Sequence, residues 1–324
     1  MGLLNSVIDS FRFKDIVFYK QDSELQKKYD ALVKLNKEYP NNKELKSKLN
    51  IVKKGLEGEN EIAYQLKKSN IGMYVLRDVT LKYEDLKAQI DYIVITPVYT
   101  YYIECKNLIG NITVNEKGDF IREFEFDGKM VKKGLYSPLR QVEAQREVIR
   151  KIWENRSSKL TKLLGSKSFN HYRRVLVVAS NRDTIINTSK APNSIKYKII
   201  KSDALIRQIE YEFNHRDEDE SLLYNQKEFE EIAKNYLDLA ITNNIDYYEC
   251  YKNKYCSNSL RDRLLEFRKK RSSEMSIPPY YVFNNDELDK IVELKPSTII
   301  ELNNILSDIK VKTHGKEIIN IVNG

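Results

Sequence analysis

The 324-residue sequence is poor in the residues that would point to several common chemistries. It holds three cysteines, three histidines, one tryptophan and seven prolines. Three thiols in a chain of this length build no disulfide framework and suit a reducing compartment, so a cytoplasmic location is expected. Cys250 and Cys256 have no second pair and fall short of the four ligands a structural zinc needs. His171, His215 and His314 are dispersed and suggest neither a zinc site nor a histidine-based triad. No run of 18 apolar residues occurs, so no membrane span is expected. The N-terminus lacks the cationic and apolar segments of a signal peptide. Met1-Gly2-Leu3-Leu4-Asn5-Ser6 has the outline of a myristoylation signal, a weak pattern alone. No glycine-rich loop ending in Lys-Ser or Lys-Thr is present, which argues against an ATPase of the P-loop type. Low-complexity tracts and fixed-period repeats are also missing.

What is present is enough apolar residue, 41%, for real cores, and a formal net charge of +8. The length suits two domains. The positive balance favours a polyanionic partner such as nucleic acid, although many basic proteins bind none.

The most informative segment is a hairpin. Its arms are Asp91-Tyr92-Ile93-Val94-Ile95 and Thr100-Tyr101-Tyr102-Ile103-Glu104-Cys105-Lys106, rich in β-branched and aromatic residues. Pro97 marks the turn, because proline cannot donate to a ladder. Folding about Pro97-Val98 sets Asp91 opposite Glu104, and period-two alternation puts Glu104 and Lys106 on one face. Two carboxylates and an ammonium then converge at the open end. Such acids can hold a divalent cation through oxygen, and a neighbouring lysine can orient water or stabilise charge on a phosphoryl group. The bland alternative is a surface cross-strand salt bridge. Cys105 alternates to the opposite face and reads as core.

Elsewhere, Ser23 caps a helix carrying Leu25, Tyr29 and Leu32. Pro40-Asn41-Asn42 interrupts it, and Leu45, Leu49 and Val52 begin another. Residues 55–68 read as a helix with Glu59 on the stripe of Leu56, Ile62 and Ala63. A carboxylate there is expensive unless paired or bound to a cation; the alternative is a first-turn carboxylate answering the helix dipole. Gly55 and Gly58 permit close approach at that helix start. Strands are expected at Gly110–Val114, around Phe120–Phe126, at Val175–Ala179 and at Lys198–Ile200. Ser137-Pro138 starts a helix whose Gln141 and Gln145 lie one turn apart. This alternation argues an α/β domain. Residues 216–256 read as polar and helical, with Phe229, Ile232, Tyr236 and Leu239 in register.

The segment from Gly55 to about Leu205 resembles the nuclease-related domain, the NERD family. The landmarks are Gly55-Leu56-Glu57-Gly58-Glu59, Asp91, Ile103-Glu104-Cys105-Lys106-Asn107, Gly110-Asn111-Ile112 and Ser137-Pro138-Leu139-Arg140-Gln141, in order. The resemblance implies the PD-(D/E)xK superfamily, with a mixed sheet flanked by helices and a site for Mg²⁺ or Mn²⁺. It implies Asp91 and Glu104 as metal ligands, Lys106 as the catalytic lysine, Glu59 as the helix acid and Gln141 as a later polar group. Residues 258–324 resemble the HRDC domain, a small all-α module. This likeness rests on Leu264–Arg268, Ile277–Phe283, Leu288, Ile291, Pro296, Glu301-Leu302 and His314–Ile319. The chain departs from that family at Leu306-Ser307-Asp308-Ile309, where glycine is frequent. Arg268, Lys269, Lys270 and Arg271 form a basic run that can contact phosphates or simply be a solvated helix end.

The expected organisation is therefore a helical lead-in at 1–50, a NERD-like α/β domain at 51–215, a helical linker at 216–256 and an HRDC-like domain at 257–324. The expected activity is metal-dependent hydrolysis of nucleic acid, DNA favoured, with docking on nucleic acid, a helicase or another protein. The alternative is a catalytically silent binding or scaffolding protein.

Overall fold

Apolar side chains alternating to both sides of four adjacent strands organise the first unit. In a computed structural model, the described residues are 13–323 apart from 159–164, 166–167, 218–219, 221–224, 243 and 257–259. The N-terminal Met1–Ser6 pattern lies outside them, as does the side chain of Cys256. The chain divides into two compact units, residues 1–248 and 249–324.

The main sheet of the first unit has six strands in the order β1-β2-β3-β4-β8-β10. They are β1 (Ile16–Lys20), β2 (Met73–Tyr83), β3 (Leu86–Ile95), β4 (Thr100–Lys106), β8 (Arg173–Ala179) and β10 (Ile199–Lys201). β2, β3 and β4 run antiparallel in sequence, while β1, β8 and β10 join in parallel, giving a mixed sheet. A smaller sheet, β7-β6-β5-β9, is built from β5 (Asn111–Val114), β6 (Phe120–Phe126), β7 (Lys129–Leu135) and β9 (Ile186-Asn187).

Tyr74, Ile93, Tyr102, Val175 and Val177 enter one core, while Val75, Tyr92, Val94, Tyr101, Ile103, Leu176 and Val178 enter the other. Sheets covered on both faces by helices carry such continuous apolar runs. Helices α1 (Glu24–Glu38) and α2 (Lys43–Leu66) precede β2. Helix α3 (Pro138–Arg156) follows β7, and α4 (Leu205–Asn214) and α5 (Gln226–Leu239) come after β10. Ile62 and Leu66 of α2, with Leu205 and Ile209 of α4, fill the second core. Leu139, Val142, Ile149 and Ile152 of α3, with Phe229, Ala233 and Tyr236 of α5, fill the first.

Several local expectations hold. Ser23 accepts from the Gln26 amide to cap α1, and Ser137 does the same for α3 through Arg140, with Pro138 next in the chain. Others change. Neither β1 nor β2 is among the segments expected from the sequence, because β2 is buried on both faces for most of its length and shows no polar alternation. The expected break at residue 50 falls inside α2, one continuous helix of 24 residues. The stretch expected as a linker contains α5, which packs Phe229, Ala233 and Tyr236 into the core of the first unit.

The second unit is helical: α6 (Leu260–Glu274), α7 (Asn285–Leu294) and α8 (Asp308–Asn323), with short turns of helix at Pro279–Val282 and Ile299–Asn303. Leu264, Val282, Phe283, Leu288, Ile291, Leu302, Val311 and Ile318 form its core. Asn284 and Glu287 make a reciprocal capping box at the start of α7, and Lys310 holds the same glutamate at 2.7 Å.

Gly58 is not at a helix start but deep within α2. A Cβ there would lie 2.5 Å from Ser180 Oγ and 2.8 Å from Asn107 Cβ, at the ends of β8 and β4. Helix propensity favours alanine over glycine by about 1 kcal/mol, whereas forcing atoms into packed surroundings costs about 1–3 kcal/mol. Gly58→Ala is therefore expected to lower the melting temperature. Gly55→Ala, which meets only the end of Leu25 at 3.1 Å, is expected to leave it unchanged or raise it; paired thermal melts decide.

Candidate active site

The ladder between β3 and β4 runs from Ile95–Thr100 to Tyr92–Ile103. The next opposed pair in that register is Asp91 with Glu104, as the hairpin pattern predicts. Here the ladder stops. The Asp91 carboxylate accepts a hydrogen bond from the Cys105 amide at 2.7 Å, so a side chain substitutes for the backbone of β3. β4 nevertheless continues on its other edge, pairing with β8 as far as Lys106–Ala179. Cys105 faces the second core, partly buried beside Ser180.

Glu104 is 3% exposed. Its Oε1 accepts from Lys106 Nζ at 2.5 Å and from Gln141 Nε2 at 2.8 Å, and its Oε2 accepts from Gln145 Nε2 at 3.3 Å. Lys106 also donates to Gln141 Oε1 at 3.3 Å. The two glutamines one turn apart on α3 thus reach the acid together. Gln145 was visible in the pattern only as a neighbour of Gln141.

Glu59 sits seventeen residues into α2, so it cannot be answering the dipole at a first turn. It is buried and paired with Arg77 of β2, which donates from Nε at 2.9 Å and brings Nη2 to 2.8 Å, both at Oε2. Removing one partner of such a pair strands a buried charge at a cost of about 3–5 kcal/mol. Arg77 was not anticipated, nor was Asp78, whose carboxylate accepts from the Glu24 amide and from Gln89. An arginine and an aspartate inside an apolar strand were the available signal. Glu59, Asp91, Gln141 and Gln145 line one cavity of about 260 Å³, together with Leu25 and Lys28 of α1.

The electrostatics are unbalanced. Burial, then the Glu104 charge, pushes the Asp91 carboxyl well above the usual range, against the opposing Cys105 amide. Burial likewise raises Glu59, opposed by Arg77. With Glu59 offset by Arg77, Asp91 and Glu104 face the Lys106 ammonium, while Asp78 and Lys28 add one charge of each sign to the cavity wall. Gln145 Oε1 is buried with no hydrogen-bond partner. Among the described residues, no three His, Cys, Asp or Glu side chains form a cage for an ion. Hard oxygen donors with surplus negative charge fit Mg²⁺ or Mn²⁺, and Mg²⁺ commonly takes only one or two carboxylates, completing its shell with water and substrate phosphate.

The basic run is divided by the fold. Arg268 donates to the Phe283 carbonyl and to Asn285, and Arg271 pairs with Glu317 at 2.9 Å and Glu274 at 3.2 Å. Both are tied to their own unit. Lys269 and Lys270 are exposed, Lys270 lying 4.0 Å from Glu274.

A mixed sheet flanked by helices, with a carboxylate pair, a lysine and a helix-borne glutamine at one strand end, makes this an α/β domain with a polar site at the end of β4. Comparison with protein-family models agrees: residues 54–179 match the nuclease-related domain and residues 257–322 match the HRDC domain. The chain carries a NERD domain followed by an HRDC domain. No curated protein and no solved structure matches it.

The raised Asp91 carboxyl has a definite sign in stability. The folded state holds the proton more tightly than the unfolded chain, whose aspartates titrate at about 3.9. The metal-free fold is then most stabilised by this group below that pH, and loses the stabilisation as pH rises through the folded value. Asp91→Asn is expected to melt above the parent protein near neutral pH, and with it near pH 3; thermal melts across pH in EDTA test this.

Proposed function

We propose that the chain is a nuclease that hydrolyses phosphodiester bonds of nucleic acid, DNA favoured, with Mg²⁺ or Mn²⁺ held by Asp91 and Glu104. The observation that carries this reading is the recessed Asp91 and Glu104 carboxylates, with the Lys106 ammonium on Glu104, in a domain of nuclease-related type. A bound divalent ion supplies charge stabilisation to a phosphoryl group and lowers the pKa of water. Lys106, held between Glu104 and Gln141, positions the attacking water or donates to a non-bridging oxygen as charge develops there. Gln141 and Gln145 hold Glu104 in place. Glu59 acts from the cavity wall, its own charge offset by Arg77. The HRDC domain docks the enzyme on nucleic acid, or on a helicase or other protein partner.

A silent binding module is the second reading, and one observation favours it. The direct Lys106–Glu104 pair at 2.5 Å already satisfies one oxygen of Glu104. Two measurements separate the readings. Labelled single- and double-stranded DNA and RNA are incubated with Mg²⁺, Mn²⁺ or EDTA, beside Asp91→Ala and Lys106→Ala. Cutting is expected with metal only, and in neither variant; full activity in both variants would remove this site. Mg²⁺ or Mn²⁺ is also expected to raise the melting temperature of the parent but not of Asp91→Ala. No shift in either favours the binding module.

For the HRDC domain, replacing Lys269 and Lys270 by glutamine is expected to flatten the salt dependence of nucleic-acid binding by about 0.7–0.9 per lysine, without a change in thermal stability. Arg271→Gln is expected to lower stability instead, because it breaks the contact with Glu317. An unchanged salt slope in the double lysine variant assigns the run to a solvated helix face.

A further inference from the structure

A second cavity, of about 550 Å³, shares Gln89, Gln141 and Gln145 with the catalytic one and extends from it along α3 to Lys151. Ten residues of helix separate Gln141 from Lys151, about 15 Å at 1.5 Å per residue, the reach of a few nucleotides. On the opposite wall stand Leu86 and Lys87, at the tip of the β2–β3 hairpin, and Tyr136, just before α3. Tyr136 is 76% exposed. Among the described residues no hydrogen bond, ring contact or ion pair holds it, and none holds Lys87 or Lys151. Glu147 also lines the groove, beside Arg150 at 3.7 Å, a cation shared with Glu154 at 3.1 Å. An unsupported aromatic face beside two unpaired ammonium groups matches the chemistry of single-strand binding, where bases stack on aromatics and lysines follow the phosphates.

Access to the acids points the same way. Glu104 is 3% exposed, and Leu25 and Lys28 of α1 line the cavity beside Asp91. An extended single strand exposes bases and phosphates separately, so it can turn a phosphate toward the recessed acids while a base meets Tyr136.

We propose that the substrate enters as a single strand, or as a frayed end, and lies along this groove with a base stacked on Tyr136 and phosphates on Lys87 and Lys151. The proposal rests on the nuclease reading for the location of the scissile phosphate, but binding tests it separately. The probes are a labelled single-stranded oligonucleotide and its matched duplex, titrated against full-length Lys106→Ala protein and followed by fluorescence anisotropy. Tyr136→Ala is expected to weaken single-strand binding about tenfold, and duplex binding far less. Lys87→Gln with Lys151→Gln is expected to lower the salt slope by about 0.7 per lysine. With Lys106 restored, Tyr136→Ala should raise KM for the single strand more than it lowers kcat. If these variants weaken single-strand binding and the parent cuts nothing, the groove stands and turnover falls. If the parent cuts and the Tyr136 and lysine variants behave as the parent, or if duplex competes equally for the groove, the proposal is overturned while the nuclease reading survives.

Discussion

The arrangement depends on one hydrogen bond, from the Cys105 amide to the Asp91 carboxylate. A buried amide must find an acceptor, and in an ordinary ladder the opposing strand would supply a carbonyl. Here Asp91 supplies a side-chain oxygen, and β3 is released from β4 while β8 keeps β4 straight. Gln141 and Gln145 of α3 reach Glu104 just beyond the last paired residues. The bond that ends the ladder therefore also places one acid beside the other.

That placement is electrostatically unfavourable. Asp91 is desolvated next to a second carboxylate, and its proton affinity rises accordingly. Perturbed groups of this kind gather at functional sites, where geometry is held against local preference by the surrounding packing. The packing is at hand. Tyr92, Tyr101 and Tyr102 are fully buried, and their hydroxyls are spent on the Glu59 carbonyl, Glu212 and Tyr236.

How much of this was legible depended on the range of the determining contacts. The hairpin was readable because alternation and a proline turn are local signals, and they set the register that brings Asp91 to Glu104. The caps at Ser23 and Ser137 were readable for the same reason. The continuity of α2 was not: Gly55 and Gly58 look like a helix boundary, yet Gly58 is required by Asn107 and Ser180, residues distant in sequence. The partner of Glu59 was hidden because β2 carries an irregularity at Asp78, with φ of 52°. The division of the basic run was also hidden, since only the tertiary fold brings Glu317 to Arg271 and the Phe283 carbonyl to Arg268.

The uninterrupted course of α2 separates the unit of descent from the unit of folding. The family match opens at residue 54, in the middle of a helix that begins at Lys43. A fragment excised at that point would start with a severed helix and would lack β1, the outermost strand beside β2. It would also lose Leu25 and Lys28, and with them one wall of the acidic cavity. Residues 13–50 thus lie outside the family match and yet supply a strand of the main sheet and part of the lining of the acidic cavity.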